Sequence, residues 1–150
     1  MFIRKFVVLK GVMIVLLVLF FQDAVSQVSL DWEDLAHGVE FKEGNSIPGF
    51  LNATFRKNMA ELEGKEVTLN GYFLALDASE SAYMLSKNPM ASCFFCGNGG
   101  PETVVELRFS NPPKFKTDDV LSVAGTLLLN TDDPEHCYYI IEDADAFTLK

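Results

Sequence analysis

Residues 65–77 read KEVTLNGYFLALD, and residues 120–130 read VLSVAGTLLLN. In the first, Val67, Leu69, Gly71, Phe73 and Ala75 fall on one side of an alternating strand. Both stretches are long for strands, and each carries a glycine near its middle, Gly71 and Gly125. A glycine inside a strand marks a bulge or a sharp bend. A bend in both long strands is what closing a small sheet into a barrel requires.

Three shorter strands complete the set. They are Ala82 to Ser86 (AYMLS), Thr103 to Phe109 (TVVELRF) and Tyr138 to Glu142 (YYIIE), with Ala144 to Leu149 as a terminal extension. Asn111-Pro112-Pro113 and Thr131-Asp132-Asp133-Pro134 separate the last three strands, where proline cannot join a central ladder. Five antiparallel strands, two of them long and bent, predict a mainly β fold: a small five-stranded Greek-key barrel of the OB type. An open sheet or a small sandwich could use the same strands, and the paired glycine bends favour the barrel.

Upstream, Asp31 to Leu35 reads as a short helical turn with Asp31 as N-cap. Gly38 and the stretch 44–49 read as loop. Phe50 to Glu63 reads as an amphipathic helix flanking the barrel. Leu51, Phe55, Met59 and Leu62 line one face of it, and Gly64 stops it. The expected core is Phe55, Met59, Leu62, Val67, Leu69, Phe73, Leu107, Val123, Leu127 and Ile140.

The first 26 residues read as a cleavable secretory signal. Arg4, Lys5 and Lys10 precede an apolar run from Gly11 to Phe21, and Ala24-Val25-Ser26 supplies the small residues of a cleavage site. The run is too short to span a bilayer, and Gln22 and Asp23 end it, so no stable membrane anchor is expected after cleavage. The expected location is periplasmic or secreted. The expected organisation is a signal (1–26), then one domain made of a helical and loop segment (27–64) and the barrel (65–150). The whole chain carries a formal charge of −9, and removing three bases and one acid with the signal leaves −11. A surface this acidic repels phosphate backbones, so nucleic acid is not an expected partner.

The mature chain holds three cysteines, Cys93, Cys96 and Cys137. Cys93-Phe94-Phe95-Cys96-Gly97 has the C-x-x-C-G spacing that points two sulfurs at one ion, as in a zinc knuckle. A structural zinc needs four ligands, and the other soft pair is His136-Cys137. In an alternating barrel, the loop after the second strand and the loop after the fourth emerge at the same end. The topology therefore permits a zinc site built from Cys93, Cys96, His136 and Cys137, with Glu102, Asp132, Asp133 and Glu135 as oxygen donors nearby. In an oxidising compartment the same pair can instead form a short-loop disulfide. Thiol redox catalysis is a third reading, although its C-x-x-C ordinarily opens a helix in a βαβ unit. Gly97-Asn98-Gly99-Gly100 lacks the Lys-Ser/Thr and helix of a phosphate loop.

Trp32 is expected to cap the barrel core and His37 to lie on the surface. Of Tyr138 and Tyr139, one is expected inside and one outside. Asp143 and Asp145 could pair, but no base or nucleophile accompanies them. No catalytic constellation is visible, and a non-enzymatic protein is expected.

The blocks DWEDL (31–35), LEGKEVTLNGYFLAL (62–76), YMLS (83–86), SCFFCGNGGPETVVEL (92–107), VLSVAGTLLLN (120–130) and YYIIEDADAF (138–147) resemble an exported bacterial family defined as domain of unknown function 3299. The C-x-x-C-G block followed by Gly-Pro-Glu is the most specific part of the resemblance. It implies an exported OB-like domain, and an association with envelope transporter components linked to zinc uptake.

Overall fold

The computed structural model describes residues 27–43, 51–77, 81–93, 97 and 99–149. The expected signal, Phe50 and Cys96 lie outside these residues. In chain order the elements are β1 (Val28–Ser29), α1 (Trp32–Gly38), β2 (Val39–Glu43), β3 (Leu51–Phe55), α2 (Lys57–Ala60), β4 (Glu66–Asp77), β5 (Ala82–Ser86), β6 (Val104–Leu107), β7 (Val120–Leu129) and β8 (Tyr139–Thr148). No helix among the described residues is long and apolar enough to cross a membrane.

The barrel runs β4-β5-β6-β8-β7 and closes by pairing β7 back onto β4. All neighbours are antiparallel except β6 and β8, which run parallel. Closure depends on β4. Its first half pairs with β7, from Glu66↔Thr126 to Tyr72↔Val120, and its second half pairs with β5, from Tyr72↔Ser86 to Asp77↔Ala82. The handover between partners falls at Gly71–Tyr72. A Cβ on Gly71 would stand 2.7 Å from the Ser86 carbonyl oxygen and 2.8 Å from the Trp32 ring. Only glycine lets the strand pass at that distance.

The expected strands and the observed ones agree closely, with one merger. The terminal extension joins the fifth strand to make β8, through a bulge opposite Gly125. Between Ala124↔Asp145 and Thr126↔Glu142, β8 carries one residue more than β7, and Asp143 takes a φ of 51°.

The helix expected from Phe50 to Glu63 is not formed. Leu51–Phe55 is a strand, antiparallel to β2 through Val39↔Phe55, Phe41↔Ala53 and Glu43↔Leu51. Only Lys57–Ala60 is helical, one turn long. Leu51, Ala53 and Phe55 face inward and Asn52 and Thr54 outward, which is strand alternation. Asn and Thr are also weak helix formers. The four apolar residues of the supposed helix face still reach the core. Met59 is buried, and Leu51, Phe55 and Leu62 pack against the core cluster.

α1 forms where expected. The Asp31 carboxylate accepts from the Glu33 and Asp34 amides, and the Asp34 carboxylate accepts from the Asp31 amide, completing a capping box. This cap unit closes one barrel mouth. The Tyr139 hydroxyl donates to the Leu35 carbonyl at 2.7 Å, and the Tyr138 hydroxyl donates to the Leu51 carbonyl at 2.6 Å. Their rings meet Phe55 and Phe41 edge-on. Both tyrosines are therefore buried, against the expectation of one inside and one outside. Tyr138 precedes β8, so strand alternation does not govern it. Trp32 packs against the core and donates its ring N–H to the Asn70 carbonyl. The other mouth is plugged by the segment after β6, where Phe109 and Phe115 pack edge-on against Phe73, which stacks on Tyr83.

Eight of the ten expected core residues are buried, from Met59 on α2 to Ile140 on β8, with Phe55 and Leu62 packed at the edge.

Candidate functional site

On β5 and β6, Tyr83, Leu85, Val105 and Leu107 point into the core. The alternate residues Met84 and Glu106 therefore face outward, directly opposite one another across the strand pair. The loop between β7 and β8 folds over this pair. Asn130 is buried and shapes that loop. Its side-chain amide donates to the carbonyls of Asp133 (2.7 Å) and His136 (3.2 Å), and its oxygen accepts from the amides of Asp132 and Asp133. Asp133 in turn accepts from the Glu135 amide. Local side-chain to backbone bonds of this kind are what Asn and Asp supply in turns.

The loop delivers His136 and Cys137 to Glu106. One Glu106 oxygen accepts from His136 Nδ1 at 3.0 Å and from the Cys137 amide at 3.2 Å; the other accepts from Arg108 Nε at 2.9 Å. Arg108 also bonds Glu142 at 3.0 Å. A carboxylate only accepts, so the His136 ring presents an Nδ1 proton to Glu106, and Nε2 is the ring nitrogen that Glu106 does not engage. The Cys137 thiol lies 3.6 Å from the Met84 sulfur. Burial, and then the Glu106 charge, push that thiol's pKa up to about 12.

Cys93 is fully buried at the end of a 3₁₀ turn, Met90–Ser92. Its loop is fastened by the Lys87 amide on the Thr103 carbonyl and by the Met90 amide on the Asp118 carboxylate. This loop and the 130–138 loop do leave the barrel at one end, since β5 ends and β8 begins beside the start of β6. Yet among the described residues no group of three or more His, Cys, Asp or Glu is placed to hold a metal ion. His136 and Cys137 are brought together, at Glu106 and Met84. They are not gathered with Cys93 into a three-ligand group. Asp132, Asp133 and Glu135 are exposed turn residues, and Glu102 lies in the 3₁₀ turn Pro101–Thr103. His37 is exposed on the last turn of α1, and Asp143 and Asp145 are exposed on β8.

The sequence reading missed Met84, Glu106 and Arg108. Alternation in AYMLS and TVVELRF places Met84 and Glu106 on outward faces. Their pairing, however, depends on a register that the long 87–103 connection hides.

A raised thiol pKa has a direct kinetic consequence, because the thiolate is the reactive form. At pH 8, Cys137 in the folded chain is expected to react with a disulfide reagent about thirtyfold more slowly than in urea. The thiolate population falls about a thousandfold between pKa 9.0 and about 12, and the greater nucleophilicity of the more basic thiolate returns part of that loss. Equal rates in stopped-flow labelling would contradict the buried placement.

Among solved structures, the chain is similar to a DUF3299 family protein from Pseudomonas aeruginosa PAO1, with a TM-score of 0.58 and 16% identity over 83% of this chain and 97% of that one. No family model matches the chain, and no curated protein does. At this identity the likeness is one of fold, and it is a likeness to the family whose sequence blocks the chain resembles.

Proposed function

We propose that the chain is an exported, non-enzymatic OB-like module that works by binding a partner in the cell envelope, with Cys93 and Cys96 oxidised to each other to hold the 87–103 loop. The observation that carries this reading is where His136 and Cys137 sit: at Glu106 and Met84, and among the described residues not in a three-ligand group with Cys93. A zinc knuckle at Cys93 and Cys96 needs two further ligands, and the residues expected to supply them are placed elsewhere. Without them, two sulfurs three positions apart in an oxidising compartment are better satisfied by each other. The outward face of β5 and β6, flanked by the 130–138 loop, corresponds to the strands that OB folds use for binding. Acidity argues against a nucleic-acid partner, and a protein partner such as an envelope transporter component fits it better.

Protein taken from the envelope fraction without reductant and then denatured is expected to show one titratable thiol, that of Cys137, and no stoichiometric zinc. Three thiols together with one zinc per chain would overturn the disulfide and restore the knuckle.

A further inference from the structure

We propose that Met84, Cys137 and His136 form a binding site for one soft monovalent cation, copper(I). This goes beyond the binding role above and does not depend on the state of Cys93 and Cys96.

Two sulfurs bound to one ion through bonds of about 2.3 Å, at a near-tetrahedral angle, stand about 3.8 Å apart. The Cys137 and Met84 sulfurs stand at 3.6 Å, so an ion fits between them with little movement. A thioether is a poor ligand for zinc and a good one for copper(I), and a thiolate beside it strengthens that preference. His136, next to Cys137 in the chain, would supply the third donor through Nε2, the ring nitrogen that Glu106 does not engage. Metal-ligating histidines commonly hold a carboxylate through their other nitrogen, which fixes the tautomer and the ring. Glu106 supplies that hold at 3.0 Å, and Glu106 is itself anchored by Arg108. Three further features agree with this assignment. The His136 side chain is 41% exposed, so the site opens to solvent. Cys137 is half-buried, which shelters a thiol that export would otherwise leave open to oxidation. Binding releases the thiol proton, and the thiolate then neutralises the cation's charge.

The test is anaerobic transfer of copper(I) from its bicinchoninate complex to the mature chain. It is run on the native sequence and on a Cys93→Ala, Cys96→Ala background in which Cys137 is the only thiol. One copper(I) per chain is expected in the background chain, and the native chain is expected to bind that copper plus any that a reduced Cys93–Cys96 pair takes up. Met84→Leu keeps the volume, and Cys137→Ser keeps the shape. Each is expected to weaken binding by more than the roughly 10–100-fold that outer-shell changes cost, while Glu106→Gln falls within that range. Near-ultraviolet circular dichroism verifies that each variant is folded. No transfer to the background chain, or unchanged affinity in folded Met84→Leu or folded Cys137→Ser, overturns the site. The thiol count on envelope protein reads the Cys93–Cys96 state separately, so either reading can fail alone.

Discussion

Replacing Phe73 with alanine is expected to lower the free energy of unfolding by about 3–5 kcal/mol. Phe73 is 1% exposed and joins the barrel to the plug at its far mouth. Its ring stacks on Tyr83 at 5.7 Å and meets Phe115 and Phe109 edge-on at 5.8 and 6.5 Å. Its backbone also anchors that plug, because its amide donates to the Asp119 carbonyl and its carbonyl accepts from the Asp118 amide. Truncation removes the ring's transfer energy and leaves a cavity among aromatic rings whose shape prevents collapse. A domain of this size is stable by about 5–15 kcal/mol, so the variant would sit near the folding threshold. Phe147 makes a useful control. It is 64% exposed, and Phe147→Ala is expected to stay within about 0.5 kcal/mol of the parent. The measurement is the urea midpoint at unchanged slope. A loss below about 1 kcal/mol for Phe73→Ala would mean that the plug is not seated on this ring.

Phe73 was legible in the sequence because β4 alternates without interruption. The same holds for Val67, Leu69, Val123 and Leu127, and the two mid-strand glycines pointed to closure. The cap unit was not legible, and Leu51 to Leu62 shows why. Leu51, Phe55 and Met59 recur every four residues, a spacing shared by one face of a helix and by every second inward position of a strand. Ala53 carries the opposing signal, since it completes Leu51-x-Ala53-x-Phe55 and pairs with Phe41. With β2 unread, that strand had no visible partner. The two tyrosines failed for a related reason. Period-2 alternation does not reach Tyr138, because the strand begins at Tyr139, and Tyr138 is buried by the cap through its bond to Leu51.

The candidate site was half legible. His136-Cys137 stood out by residue type, and the arrival of its loop at the same end as the C-x-x-C loop followed from strand alternation. Its partners did not stand out. Glu106 lies 30 residues away on another strand, and nothing in TVVELRF separates an outward carboxylate in water from one that receives three hydrogen bonds. Met84 looked like ordinary strand filling. Such a site is assembled by register, and register across a long irregular connection is not written in either strand alone.

Gly125→Ala is expected to cost about 3 kcal/mol, the upper end of the range for overpacking. The cause is steric. A Cβ there would lie 2.6 Å from the Glu142 carbonyl oxygen, 2.7 Å from Ile141 Cγ2 and 3.3 Å from Ala144 Cα. Two of these three atoms are backbone, so no side-chain rotation relieves the contact. β8 bulges against β7 here, and glycine is what lets the two strands touch. Gly64 separates this cause from backbone conformation. Its φ is +73°, and nothing lies within 4 Å of its Cβ position, so Gly64→Ala carries only the left-handed penalty of about 1–2 kcal/mol. Asparagine should recover part of that loss at position 64 and none of it at position 125. The bend also has a consequence at the site. From Gly125, β7 continues to Leu129 and hands the chain to Asn130, whose side chain shapes the loop carrying His136 and Cys137 onto Glu106. A variant that folds by easing β8 away from β7 should loosen that seat and raise the labelling rate of Cys137 without unfolding the barrel. Parent-like stability together with parent-like labelling in Gly125→Ala would show that neither the closure nor the site depends on the close approach at this glycine.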